Sequence, residues 1–122
     1  MTVNGHNTQW VVCRLGLRPN AGVMAKAAID SGCAITTIST QLLHLIPDHH
    51  LLRRYPCADT KIVTASGEII PIPLQVEIVF TFYDPNDRWM SLSVVCNVLD
   101  ALTEDLFLGA DVVYRLGERY LP

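Results

Sequence analysis

Charge is scarce in this chain. Charged side chains make up only 17% of its 122 residues, and nine Lys and Arg against twelve Asp and Glu leave a net charge of −3. Arg53-Arg54 is the only adjacent basic pair. The continuous basic face that phosphate backbones require is therefore missing, which argues against nucleic acid as a partner. No apolar run is long enough to cross a bilayer, so no membrane role is expected. Residues 1–7 are polar and do not read as a signal peptide.

Cysteine is also sparse. Cys13, Cys33, Cys57 and Cys96 are widely spaced and contain no Cys-x-x-Cys pair. Even parity allows two disulfides, but a domain this apolar does not need them. The expected state is free thiols, mostly buried, in a reducing compartment. His44, His49 and His50 cluster without a cysteine at ligand spacing, so they read as solvent-facing loop histidines. No metal and no cofactor is implied. Internal repeats and low-complexity segments are absent too.

What is present is apolar residue. Half the chain is hydrophobic, enough for one core and too much for disorder, and residues 1–122 read as a single domain. The pattern is mainly β. A strand over residues 9–18 ends at the turn Pro19-Asn20-Ala21-Gly22, and a second covers 22–30. The β-branched run Ile35-Thr36-Thr37-Ile38 predicts a third strand over 35–39. Ser39 or Thr40 then caps a short helical turn over 41–46, and 47–56 reads as an irregular surface connection.

Residues 59–70 predict a hairpin with its tip at Ser66-Gly67. Pro71 and Pro73 remove N–H groups from one edge, which suggests a ribbon leaving the body of the sheet. Over 74–83, Val76, Ile78, Phe80 and Phe82 share one face of a strand. Asp84-Pro85-Asn86-Asp87 turns the chain into a partner strand over 89–99. Leu106-Phe107-Leu108-Gly109 predicts a last strand meeting glycine, and 110–116 a short helix with Asp111 in its first turn and Gly117 at its end. Residues 118–122 form a tail with strand character.

One motif carries chemistry. Ala28-Ile29-Asp30-Ser31-Gly32 delivers a carboxylate, a hydroxyl and a turn-permitting glycine from the end of an apolar strand. A carboxylate there is costly unless it is used. The motif occurs once, so a two-carboxylate site would need two chains. An ordinary turn after a strand is the alternative, since Asp, Ser and Gly all favour turns.

Taken together, these pieces resemble the retropepsin family, the homodimeric aspartic proteases of retroviruses, retrotransposons and their cellular relatives. The resemblance runs from about Gln9 to Pro122. Asp30-Ser31-Gly32 is similar to the family's Asp-Thr/Ser-Gly signature. The ribbon around Gly67 is similar to its flap, and Phe107-Leu108-Gly109 to the apolar element before its only helix. The tail resembles the C-terminal strand of the dimer sheet.

The resemblance implies an all-β acid-protease barrel with a flap hairpin and one short C-terminal helix. It implies a homodimeric endopeptidase acting on extended polypeptide or polyprotein segments, in an intracellular setting such as the cytoplasm or a virus-like particle. Asp30, Ser31 and Gly32 would form the catalytic loop. Cys33, Ala34 and the tip residues Ala65, Ser66 and Gly67 would contact substrate. Cys33 stands where the family usually has Ala or Ser. Ala34 and Ala110 stand where many retroviral members carry a paired Asp and Arg. A module that kept this fold for dimerisation or peptide binding without catalysis is the rival reading, and a monomeric β-sandwich is a third.

Overall fold

The computed structural model describes residues 9–56, 61–72, 74–100 and 102–121. Its strands are β1 (Trp10–Leu15), β2 (Val23–Ile29), β3 (Thr37–Ser39), β4 (Leu51–Pro56), β5 (Lys61–Val63), β6 (Ile69–Pro71), β7 (Leu74–Tyr83), β8 (Trp89–Leu99) and β9 (Leu106–Leu108). Two short helices, α1 (Thr40–Leu45) and α2 (Ala110–Leu116), follow β3 and β9.

Six strands close into a barrel in the order β1-β2-β9-β3-β8-β7, with β7 bonded back to β1. β7 is long enough to serve two neighbours along its length. β4 pairs with its first half, from Leu74 to Ile78, and β1 with Phe80 to Phe82 further on. Most pairs are antiparallel, but β2 runs parallel to β9 and β3 parallel to β8. Parallel neighbours end on the same side. The turn after β2, which holds Asp30, therefore lies beside the corner after β9, which holds Gly109.

The alternation expected for β7 is what fills the barrel. Val76, Ile78, Phe80 and Phe82 are all fully buried, against Cys13 and Leu15 of β1, Leu92, Val94 and Cys96 of β8, and Leu106 and Leu108 of β9. Val112 and Leu116 bring the inner face of α2 to the same core. Cys13, Cys33 and Cys96 are free thiols, the first and last buried; Cys57 lies outside the described residues.

The hairpin expected around Gly67 forms as its own two-stranded sheet, with Val63 opposite Ile69 and Ile62 opposite Ile70. Thr64 and Glu68 close it: Thr64 N–H donates to the Glu68 carbonyl at 2.8 Å, and Gly67 N–H to the Thr64 carbonyl at 2.9 Å. Gly67 has φ +86°, a left-handed conformation that explains glycine at the tip.

Several expectations need correction. Residues 47–56 are not an irregular connection: a 3-10 turn at Asp48–His50 leads into β4. β4 escaped notice because it is an edge strand with Leu52, Arg53 and Arg54 exposed, so it has no buried period to read. His50 is not solvent-facing. It is buried, and its Nδ1 accepts the Leu17 N–H at 3.2 Å. The third strand begins at Thr37 rather than at 35, because Thr36 gives its N–H to a side chain instead of a neighbouring strand. Pro71, by contrast, is placed as expected: it sits in β6 opposite Lys61 at a non-hydrogen-bonded pair, so its missing N–H falls on the outer edge of the ribbon; Pro73 lies outside the described residues. The helical turn expected after Ser39 forms as α1 with Ser39 as its cap, so the single C-terminal helix expected for the fold becomes two short helices. Residues 118–120 form a turn with Tyr120 buried in the core, not a strand, and Pro122 lies outside the described residues. Within the single chain no described strand is hydrogen-bonded to this segment; the pairing the resemblance implies is with a second copy.

Ser39 ties α1 to the barrel. Its Oγ accepts the Leu42 N–H at 3.0 Å and donates to Asp105 Oδ1 at 3.0 Å. Ser39→Ala removes both the helix cap and that partner. It is expected to cost about 1–2 kcal/mol, read as a lower urea midpoint at unchanged m-value.

Candidate active site

Asp30 follows the last residue of β2 and keeps one bond to the sheet. Its N–H donates to the Leu108 carbonyl at 2.9 Å, extending the parallel β2–β9 pairing by one residue. The chain then turns, and Cys33 N–H donates back to the Asp30 carbonyl at 3.1 Å. The Asp30 side chain is half-buried, while Ser31, Gly32 and Ala34 are exposed.

The loop is fastened to the start of α2 through its backbone. Ala110 N–H donates to the Cys33 carbonyl at 2.7 Å and Asp111 N–H to the Ala34 carbonyl at 3.3 Å. Gly109 makes this possible. A Cβ there would lie 2.7 Å from Ile35 C, 2.8 Å from Cys33 O and 2.9 Å from Thr36 N, all backbone atoms that cannot swing away. The glycine recognised in the sequence thus serves close approach.

Side chains complete the fastening. Asp111 Oδ1 accepts the Thr36 hydroxyl at 2.8 Å, and its two oxygens lie 3.1 and 3.2 Å from Thr36 N. Thr36 Oγ1 in turn accepts the Gly109 N–H at 3.1 Å. Asp111 was expected only to suit the helix dipole. Its tie to Thr36 spans 75 residues and leaves no periodic trace in the sequence.

Asp30 opens onto a cavity of about 260 Å³. Cys33 and Thr37 share its wall with Asp30, and Leu99, Leu102, Thr103 and Phe107 form the rest of the barrel side. The hairpin contributes Ile62 of β5. Of the five expected substrate contacts, only Cys33 is among the residues that line this cavity; Ala34 is exposed beside it in sequence. Ala65, Ser66 and Gly67 are exposed at the hairpin tip, and a Gly67 Cβ would meet no described atom within 4 Å beyond its own chain neighbours. Neither Ile62 nor Phe107 is among the expected site residues, although both sit on strands that the apolar pattern located, Phe107 within the Phe107-Leu108-Gly109 element.

A larger cavity of about 810 Å³ lies between α1, β4, β6 and β8. It does not include Asp30, so the chemistry is assigned to the smaller one. Among the described residues no three His, Cys, Asp or Glu side chains converge as metal ligands, and no helix is long and apolar enough to cross a membrane.

The chain matches no protein-family model, and no curated protein is significantly similar to it in sequence.

The thiols differ sharply in environment. Burial pushes the Cys13 thiol up to about 12. Cys96 is raised as well, chiefly by burial and further by the nearby charge of Asp111. Cys33 is half-exposed, with Sγ 3.1 Å from the Ile35 carbonyl. An alkylating reagent at pH 8 is expected to modify Cys33 before Cys13 or Cys96 in the folded protein, as peptide mapping would show. Gly109→Ala forces the loop off α2 and is expected to cost roughly 1–3 kcal/mol, measured by chemical denaturation.

Proposed function

We propose that the protein is a homodimeric aspartic endopeptidase of the retropepsin type. The observation that carries this reading is the placement of Asp30. It sits in a tightly fastened turn, on an apolar cavity whose far side includes Ile62 of a separate hairpin. A covering ribbon above a carboxylate suits an extended peptide laid between them.

Each chain supplies one Asp-Ser-Gly turn, so the site is completed across a twofold axis. Two Asp30 carboxylates brought together there cannot both ionise cheaply and hold one proton between them. The ionised carboxylate takes a proton from a bound water, whose oxygen attacks the scissile carbonyl carbon. The protonated carboxyl donates to the carbonyl oxygen, giving a neutral gem-diol. Breakdown returns a proton to the departing amine and restores the pair. No covalent enzyme intermediate is required.

In the assembled site Ser31 would bond across the axis and hold the carboxylates in plane. Ser66 and Gly67 would reach substrate from above as the hairpin closes. The free thiols at Cys13, Cys33 and Cys96 support a reducing, intracellular setting.

Asp30→Asn is expected to leave folding intact and to lower peptide cleavage by about 10²–10⁴-fold. The wild-type rate should peak at acidic pH, where one proton stays on the pair. A peptide-library digestion of both proteins at several pH values checks both points. Equal cleavage by the two proteins overturns the mechanism, and peptide binding without cleavage by either would favour a binding module.

A further inference from the structure

We propose that Asp111 is a positioning residue: acting through Thr36, its carboxylate sets the orientation in which the loop presents Asp30. The kinetic part of this inference rests on the aspartic-protease reading above. The structural part stands on the fastening alone.

Residues 30–36 are held at both ends. Asp30 is fixed by its backbone bond to Leu108, and the middle by the bonds from Ala110 and Asp111 to Cys33 and Ala34. The far end differs, because there the tie is a side chain that bears charge. The Asp111 carboxylate draws on the Thr36 N–H, the Thr36 hydroxyl and the Val112 N–H, the last at 2.9 Å. Bonds to an ionised acceptor are shorter and stronger than neutral ones.

The Thr36 hydroxyl is fully buried and uses both of its capacities, donating to Asp111 and accepting from Gly109. Removing either partner strands a buried polar group, so the three residues act as a unit. The Thr36 carbonyl meanwhile accepts the Asn97 N–H at 3.0 Å, which locks the same residue to β8. Thr36 is therefore the anchor between the loop and the barrel wall.

Aspartate suits this role better than asparagine. Oδ1 takes the Thr36 hydroxyl, the Thr36 N–H and the Val112 N–H, while Oδ2 shares the Thr36 N–H at 3.2 Å, so the NH₂ of an amide in that place would oppose the Thr36 N–H. Ala34 and Ala110 place no charge at this corner, and Arg115, one turn further along α2, donates to the Ser93 carbonyl at 3.2 Å. Among the described fastenings of the loop, Asp111 is the charged one. A loosened Thr36 transmits to Asp30 through the short loop and the Cys33-to-Asp30 bond. Displacement of about 1 Å at a reacting group costs up to ~10²-fold in rate.

The test compares Thr36→Val, Thr36→Ser and Asp111→Asn with wild type, well below each melting temperature. Peptide cleavage is resolved into kcat and KM, and amide hydrogen exchange is followed at Cys33. Thr36→Val and Asp111→Asn should lower kcat by about 10- to 100-fold with KM little changed, and should speed exchange at Cys33. Thr36→Ser, which keeps the hydroxyl, should restore most of both. If Thr36→Val fails to fold, Asp111→Asn carries the comparison. Folded variants with wild-type kcat and unchanged Cys33 exchange, showing only a lower melting temperature, overturn the proposal. Should wild type cleave no peptide, the protease reading fails by itself. The exchange arm then decides: faster Cys33 exchange in both variants upholds the fastening, and unchanged exchange sinks it.

Discussion

At Gly109 the chain leaving β9 comes against the loop leaving β2 with no side chain between them. That contact is a direct result of strand direction. β2 and β9 run parallel, so their ends coincide, and the following segments must share one small volume. Backbone against backbone is the densest way to share it, and it satisfies polar groups that would otherwise be buried without partners. The loop's carbonyls meet the first N–H groups of α2, which have no partner within the helix. One geometric constraint therefore serves two needs: it caps a helix and rigidifies the turn that bears Asp30.

β7 plays the corresponding part for the body of the molecule. It bonds to β8 along nearly its full length and divides its other edge between β4 and β1. Its inward residues are all large and apolar, so the strand closing the barrel also supplies much of its filling. Closure removes the exposed edges that make open sheets prone to self-association. β4 keeps a free edge, and its basic, exposed Arg53 and Arg54 guard it.

Much of this was legible in the amino-acid order because it depends on local rules. Alternation located β7, the turn Asp84-Pro85-Asn86-Asp87 located β8, Ser66-Gly67 located the hairpin, and the Leu108-Gly109 junction located the start of α2. Asp30 stood out because a carboxylate is unusual at the end of an apolar strand. What escaped was set by contact between distant segments. β4 buries too little to show a period and owes its form to β7. The partnership of Thr36 and Asp111 depends on the parallel alignment of β2 and β9, which no short stretch encodes. The first two residues of the expected third strand, Ile35 and Thr36, fall outside β3 for the same reason, since a carboxylate arriving from α2 takes the Thr36 N–H that a strand would have used.

The hairpin of β5 and β6 shares no ladder with the barrel among the described residues, yet Ile62 reaches the cavity beside Leu99 and Phe107. Among the described residues, the contact that brings it to the cavity is apolar. Such contact is entropic near room temperature and fades on cooling. Lifting the ribbon leaves the barrel's own bonding untouched, so a chilled sample should gape more readily than a warm one while the wall beneath keeps its shape.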